Sequence, residues 1–441
     1  MRNATIITTL VLSMGAGAQG PMDISLRQAM ALAATQSYAV RTSVLEAEKA
    51  NKRINEVMAI GLPQVNASAS LANWIEVPIQ VVPNFFGGEP KLLEAQFALP
   101  WAANAGIRLD QLLFDGTYII GLQATRELRK QSEEELERAA KDAQLQAAKS
   151  YFAVLAADEG ARLIDETVPV LERSLRESEV MVENGFMEST DVDRLRIEVA
   201  NMRDQRLIFQ RQAELARNML RFVLGLPANT PLRLTDALDK LMEDPEETNL
   251  DKTPFDLNQH VDSRIAGTIV RLQTLQMRKE KAAYLPTLNG FLSHQQQYND
   301  LVFQPIDGEI PWFPASQWGV GLNVPIFSSG MRSNRVAQAR IGLEQAEVNR
   351  EMTEQRLRLE YDQRLSDVTT AQALFNSERE RLRLSKSVFE RTSVKFTEGV
   401  ASSFELTTEQ NNYITIQQNY INRIATLVNA RAELRRALDR F

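Results

Sequence analysis

A chain of 441 residues is long enough for two or three globular domains, and without cysteine it has no disulfide, thiolate nucleophile or Cys-ligated metal site. Its only histidines, His260 and His294, stand far apart, which removes a His-dyad zinc site and argues against a Ser-His-Asp arrangement. Asp and Glu outnumber Lys and Arg by 57 to 50, a formal charge of −7, and no basic patch offsets them, so nucleic acid is not an expected partner and no cofactor is implied.

Residues 1–18 read as a secretory signal: Arg2 is the positive head, Ala4 to Met14 the short apolar core, and Ala16-Gly17-Ala18 the small-x-small cleavage site before Gln19. The plainer alternative is a buried N-terminal strand. With no cysteine after the signal, no lipid anchor on the N-terminus is expected. No later stretch reaches the roughly 18 to 20 apolar residues of a transmembrane helix, so entry into a membrane would have to be as a β-barrel.

Ser25-Leu26-Arg27-Gln28 is a capping-box pattern, and a helix is predicted from there to about Ile60. From about Leu62 to Phe114 the charges thin out. Val65, Ala67, Ala69 and Leu71 alternate with Asn66, Ser68 and Ser70, the period of a half-covered strand, and Pro83-Asn84-Phe85-Phe86-Gly87-Gly88 reads as the loop closing a hairpin. A long helix follows from about Thr117 to Glu183, with Pro169 either at a kink or at a join between two helices. After a turn at Gly185 a further helix runs from about Asp191 to Leu224. Residues 228–255, rich in Pro, Asp and Glu, read as a linker.

The rest of the chain repeats this order. Leu62-Pro63-Gln64-Val65-Asn66 returns as Leu285-Pro286-Thr287-Leu288-Asn289, and Phe114-Asp115-Gly116 as Phe327-Ser328-Ser329-Gly330. Gly185 with Thr190-Asp191-Val192 returns as Gly399 with Phe404-Glu405-Leu406, an offset of 399 − 185 = 214. Tyr361, Val368, Phe375, Leu382, Phe389 and Phe396 keep a seven-residue period. Subtracting 214 gives Ala147, Val154, Ala161, Val168, Leu175 and Val182, all apolar. Such a stripe specifies a long helix packed in coiled-coil fashion, though a soluble bundle has the same signature.

The second repeat, 256–441, is therefore predicted as a helix from Asp256, a hairpin over about 285–327, and a helical hairpin over about 332–440. The first, 19–227, has its hairpin over about 62–114 and its helical hairpin over about 117–224. A helix of about 65 residues is on the order of 100 Å long. Trp318, Val320, Leu322, Val324 and Ile326 alternate as a strand, and Pro305 to Pro314 read as its loop. All four tryptophans, Trp74, Trp101, Trp312 and Trp318, lie in these hairpins, as membrane-interface aromatics or as ordinary strand residues. Four strands cannot close a barrel, so strands that span a membrane require further copies of the chain.

On these duplicated strand starts, strand ends and glycine turns, nearly all of the mature chain resembles the TolC family of outer-membrane efflux proteins. The resemblance implies an α+β membrane protein in which duplicated helix–hairpin–long helix–helix units form a homotrimer. Twelve strands, four per chain, would make a transmembrane β-barrel and twelve helices a long α-helical barrel in the periplasm. The implied function is the exit duct of a tripartite efflux or type I secretion system, without enzyme activity. Its partners would be a periplasmic adaptor, an inner-membrane transporter of RND, ABC or MFS type, and outer-membrane lipid. The linker 228–255 would be an equatorial patch.

The same resemblance makes the two glycine turns the periplasmic tips. Gly185, Phe186, Met187, Ser189 and Thr190 on one, with Gly399, Val400, Ser402, Ser403 and Phe404 on the other, would dock the adaptor. Phe396, Glu405, Thr408, Glu409 and Asp191 would form the pore constriction. Phe396 and Glu405 match family positions, whereas Thr408 replaces a second acid beside Glu409, and Ala401 stands where some members carry a basic gate residue. Asp191 and Glu405 equally fit plain helix capping, since acids in a first turn favour the positive end of the helix dipole. The competing function is a periplasmic coiled-coil scaffold or adaptor.

Overall fold

The computed structural model describes residues 21–85, 87–88, 91–242, 250–303 and 311–441. The signal reading at 1–18, and parts of the loops at 83–88 and 305–314 and of the 228–255 segment, lie outside the described residues. The fold is mostly helical with some strands, and it divides into a helical unit and a sheet unit. The helical unit comprises the described residues up to Glu46 with Glu133–Ile265 and Glu351–Phe441; the sheet unit comprises Ala47–Ser132 and Ala266–Arg350.

In the helical unit, β1 (Met22–Ile24) leads to α1 (Leu26–Gln36). The capping box is present: Gln28 N donates to Ser25 Oγ at 3.3 Å, and Ser25 N donates to Gln28 Oε1 at 2.9 Å. The predicted continuous helix is instead two, α1 and α2 (Tyr38–Ile60). Ser37 is extended at ψ 149 and buried; its N–H closes α1 on Ala33 O, while its hydroxyl accepts from Val40 N at 3.3 Å to start α2. One serine thus caps both ends, and no Gly or Pro marks the break in the sequence.

Helix α3 (Gly116–Glu183) contributes 133–183 to this unit and runs through Pro169 without ending there. It is followed by α4 (Ser189–Val223). Beyond them the described part of the 228–255 segment contains regular elements. Its strand β2 (Leu232–Leu234) pairs in parallel with β1, and its short helix α5 (Leu238–Met242) buries Leu238 and Met242. Asp236 accepts from Leu26 N at 2.6 Å and lies 3.0 Å from the hydroxyl of the buried Tyr151, which also reaches Ile24 O. Burial, with that carboxylate beside it, holds the Tyr151 phenol above its ordinary range.

The first helix of the second repeat, α6 (Val261–Ala282), begins five residues later than Asp256 suggested. Asp256 spends its carboxylate on Asn258 N in a local turn, and His260 Nδ1 accepts from Asp262 N at the actual start. Helices α7 (Met331–Thr397) and α8 (Ser403–Ala437) complete the chain. The heptad stripe faces inward: Val154, Val368 and Phe375 join the larger core with Leu427 and Leu434, while Phe389 and Phe396 join a smaller one with Leu171, Leu195, Met202 and Leu406.

The sheet unit has four antiparallel strands, β3 (Gln64–Asn73), β6 (Trp101–Phe114), β7 (Thr287–Asp300) and β8 (Phe313–Asn323), in that spatial order. The two hairpins are joined through β6 and β7, with Ile107 opposite His294. Within the first hairpin's connection, β4 (Gln80–Pro83) and β5 (Leu92–Ala95) add a small ribbon that the sequence did not announce. Strand β8 ends at Asn323, short of Val324 and Ile326, because Pro325 has no N–H to offer a ladder.

Strand parity sorts the sheet into two faces. One carries Val65, Ala67, Ala69 and Leu71 of β3, Ala103, Ala105, Ile107 and Leu109 of β6, Leu292 of β7, and Trp318, Val320 and Leu322 of β8. His294, Gln296 and Ser316 interrupt it, with His294 Nδ1 2.7 Å from Ser316 Oγ. The other face is polar, with Asn66, Ser68, Ser70, Asn104, Arg108, Asp110, Ser293, Gln295, Gln297 and Gln317. Strands β3 and β8 are its edges, and neither has a second partner strand among the described residues.

Candidate functional site

The two helical turns share one local structure. At α3–α4, Gly185 adopts φ 74, its N–H donates to Val182 O at 3.0 Å, and Phe186 N donates to Met181 O at 2.8 Å. At α7–α8, Gly399 adopts φ 73, its N–H donates to Phe396 O at 3.0 Å, and Val400 N donates to Lys395 O at 2.8 Å. Both are Schellman closures that need a left-handed residue, which is why glycine stands at both positions. Nothing lies within 4 Å of where a Cβ would sit on either, so the backbone angle alone imposes glycine.

The turns present apolar side chains to solvent. Phe186 is 85% exposed, Val400 73% and Phe404 67%, whereas Met187 and Ala401 fold back onto the smaller core. Ser189, Thr190 and Ser402 are exposed and Ser403 is buried. The first turns of α4 and α8 meet: Ser403 Oγ donates to Asp191 Oδ1, and Arg194 stands 3.7 Å from the same carboxylate. Ser402 Oγ accepts from Glu405 N at 3.1 Å and so caps the start of α8.

The candidate constriction residues do not form one cluster. Phe396 is 3% exposed and belongs to the smaller core. Glu405 and Thr408 are exposed, Thr408 Oγ1 donates to Phe404 O at 2.7 Å, and Glu409 is half-buried. Asp191 is held by Ser403. Of the tryptophans, Trp101 and Trp318 lie in β6 and β8, Trp318 on the apolar face and 79% exposed. Trp74 follows β3. Trp312 precedes β8, its ring centroid 5.6 Å from that of Tyr298, and Trp101 stands 4.8 Å from Phe303.

Sequence reasoning missed three features. The Asp191–Ser403 contact joins residues 212 apart, and only the repeat offset hinted at it. Gln410 is fully buried in α8 with no hydrogen-bond partner for either amide atom among the described residues. A heptad reading could have found it, since Ser403, Gln410 and Gln417 repeat at seven and are all buried. Arg108 and Asp110 pair on the polar face of the sheet, and their i, i+2 spacing on a strand is the signal. Among the described residues no group of His, Asp or Glu is placed to hold a metal ion, and no helix is long and apolar enough to cross a membrane.

Residues 270–440 match the family model for the outer membrane efflux protein domain. No curated protein matches the chain in sequence. Solved structures match along nearly the whole chain. The outer membrane protein VceC of Vibrio cholerae aligns at TM-score 0.69 and 15% identity, over 94% of this chain and 95% of its own. The Campylobacter jejuni CmeC outer membrane channel aligns at 0.70 and 16%, over 94% and 85%. The open state of the Neisseria gonorrhoeae MtrE outer membrane channel aligns at 0.71 and 18%, over 94% and 88%. At these identities the likeness is one of fold.

Proposed function

We propose that this chain, with its outer membrane efflux protein domain over 270–440 and the fold of outer-membrane channels, is the outer-membrane exit duct of a tripartite efflux or type I secretion system. The observation that carries the reading is the sheet. Four strands with one apolar face, one polar face and two unpaired edges are a fragment of a barrel, because edges open to lipid leave backbone groups without partners at several kcal/mol each. Joining β8 of one copy to β3 of the next, three times, closes twelve strands with the apolar face toward lipid and the polar face around a lumen.

The remaining parts have roles in the same reading. The coiled-coil helices extend the duct through the periplasm, and the paired glycine turns are its tips. Phe186, Val400 and Phe404 offer the apolar contacts on which a periplasmic adaptor docks. Asp191, Glu405, Thr408 and Glu409, with Phe396 behind them, shape the constriction. Conduction is passive: the inner-membrane transporter supplies the energy, and the duct performs no chemistry.

The test is to purify the protein from outer membranes in detergent and to record its mass and its single-channel conductance in planar bilayers. A trimer with long-lived conducting steps is the expected result. A water-soluble, non-conducting monomer would overturn the duct and leave a periplasmic coiled-coil scaffold as the better account.

A further inference from the structure

The polar face of the sheet carries hydroxyls and amides along every strand, and among its described side chains only Arg108 and Asp110 bear charge. Both stand on β6, two residues apart and therefore on the same face. Arg108 Nε donates to Asp110 at 2.9 Å from Oδ1 and 3.0 Å from Oδ2. Its guanidinium carbon lies 4.6 Å from the centre of the Phe291 ring on the neighbouring strand.

This grip takes only the inner nitrogen of the guanidinium. The terminal nitrogens of Arg108 make no hydrogen bond to the described residues, and the side chain is half exposed, as is Asp110 at 41%. Across the row, Asn66, Ser293 and Gln317 are neutral, so no second cation or carboxylate on the adjoining strands dilutes the pair. The wall thus carries one fixed positive and one fixed negative charge per copy, held together by a bond that leaves both facing solvent. The Phe291 ring limits where the cation can move, through its attraction to the ring face.

We infer that the Arg108–Asp110 pair sets the ion preference of the barrel lumen, with Asp110 cancelling a cation that would otherwise draw anions. The inference rests on the duct reading, which turns the polar face toward the lumen and repeats the pair three times around it. Removing one partner then leaves a ring of three like charges on an otherwise neutral wall. A ring of one sign raises the local concentration of its counter-ion. The effect reaches across the lumen at low salt, where the screening length is about 30 Å at 0.01 M, and fades at about 1 M, where it is about 3 Å.

The experiment compares the full-length protein with Asp110→Asn and Arg108→Gln in planar bilayers, reading the reversal potential in a potassium chloride gradient at low and at high salt. Asp110→Asn is expected to shift it toward chloride and Arg108→Gln toward potassium, with both shifts collapsing at high salt. Unchanged values at low salt in conducting channels overturn the inference. Shifts of the same sign in the two variants overturn it as well, since they would report a change of shape rather than of charge. Should the unsubstituted protein neither assemble nor conduct, the duct reading itself falls; variants alone that fail to assemble would mark the pair as structural and overturn the selectivity role.

Discussion

The glycine turns separate two reasons for a glycine. Gly225 ends α4 with φ 70, and a Cβ there would sit 2.3 Å from Gln36 O at the α1–α2 break, so Gly225→Ala meets both strain and a clash with backbone. Gly185→Ala and Gly399→Ala meet only the strain, about 1–2 kcal/mol. Thermal unfolding is expected to show a clearly larger loss for Gly225→Ala; equal losses in all three would mean that the Gln36 contact gives way freely. His260 is buried with Nδ1 accepting from Asp262 N, so the neutral ring carries its proton on Nε2, which has no partner among the described residues. Burial, helped by Arg436 and Lys141, lowers its pKa against the opposing pull of Asp439 and Asp262. The unfolded chain then takes up the proton first, near pH 6.5, so the stability from neutral His260 is present above that pH and is lost as acidification proceeds toward the lower folded value. His260→Gln should flatten the pH dependence of unfolding below about pH 6.5, and an unchanged profile would remove His260 from the account. Gln410→Met, which replaces an unpartnered buried amide with an apolar chain of similar length, is expected to raise stability by roughly 1 kcal/mol; a loss in the melting experiment would mean that the amide is satisfied.

Elements were legible where periodicity was long and illegible where one side chain decided. The seven-residue stripe from Tyr361 to Phe396 lies inside α7 (Met331–Thr397) and stops one residue before its end, because a long helix averages over local irregularity. The α1–α2 break at Ser37 was invisible, since helical periodicity continues across it and only the geometry of a buried serine interrupts the chain. The parallel pairing of β1 with β2 joins residues about 210 apart through three-residue strands, too short to carry any pattern. The hairpins were legible from alternation, but the β6–β7 pairing that merges them is a tertiary choice. At the candidate site, residue types, turn glycines and, through the heptad stripe, the burial of Phe396 were readable, whereas the tie between Asp191 and Ser403 was not, since it depends on how α4 and α8 pack together. The β1–β2 pair has an energetic consequence. Asp236 accepts from the first N–H of α1 and from Tyr151, so Asp236→Ala frees a helix N–H and leaves the buried phenol with Ile24 O as its only acceptor among the described residues. A loss of about 2 kcal/mol is expected in chemical unfolding, from a cap and a buried hydrogen bond, and a change within about 0.5 kcal/mol would show the cap to be replaceable by water.

At the scale of the whole molecule, the proposed duct reading makes the two helical turns tips that must part for export. The first turns of α4 and α8 are tied at the tips by Ser403 and Asp191, side chain to side chain. A hydrogen bond of this kind contributes about 1.5–3 kcal/mol when one partner is charged, enough to hold one arrangement and small enough for the binding of the proposed adaptor to offset. Because the chain has no cysteine, Asp191→Cys with Ser403→Cys introduces the only two thiols, at positions already in contact. Oxidation would replace a bond that an adaptor can break with one that it cannot. The expected outcome is a trimer that assembles normally and loses export when oxidised, with export restored by a reductant, measured as substrate efflux from cells alongside the trimer band in detergent. Full export from a completely oxidised trimer would show that α4 and α8 stay together during opening, and would place the moving seam elsewhere in the helical unit. A reduced double variant that leaks substrate would point the other way, to the Asp191–Ser403 bond as a restraint whose loss alone loosens the tip.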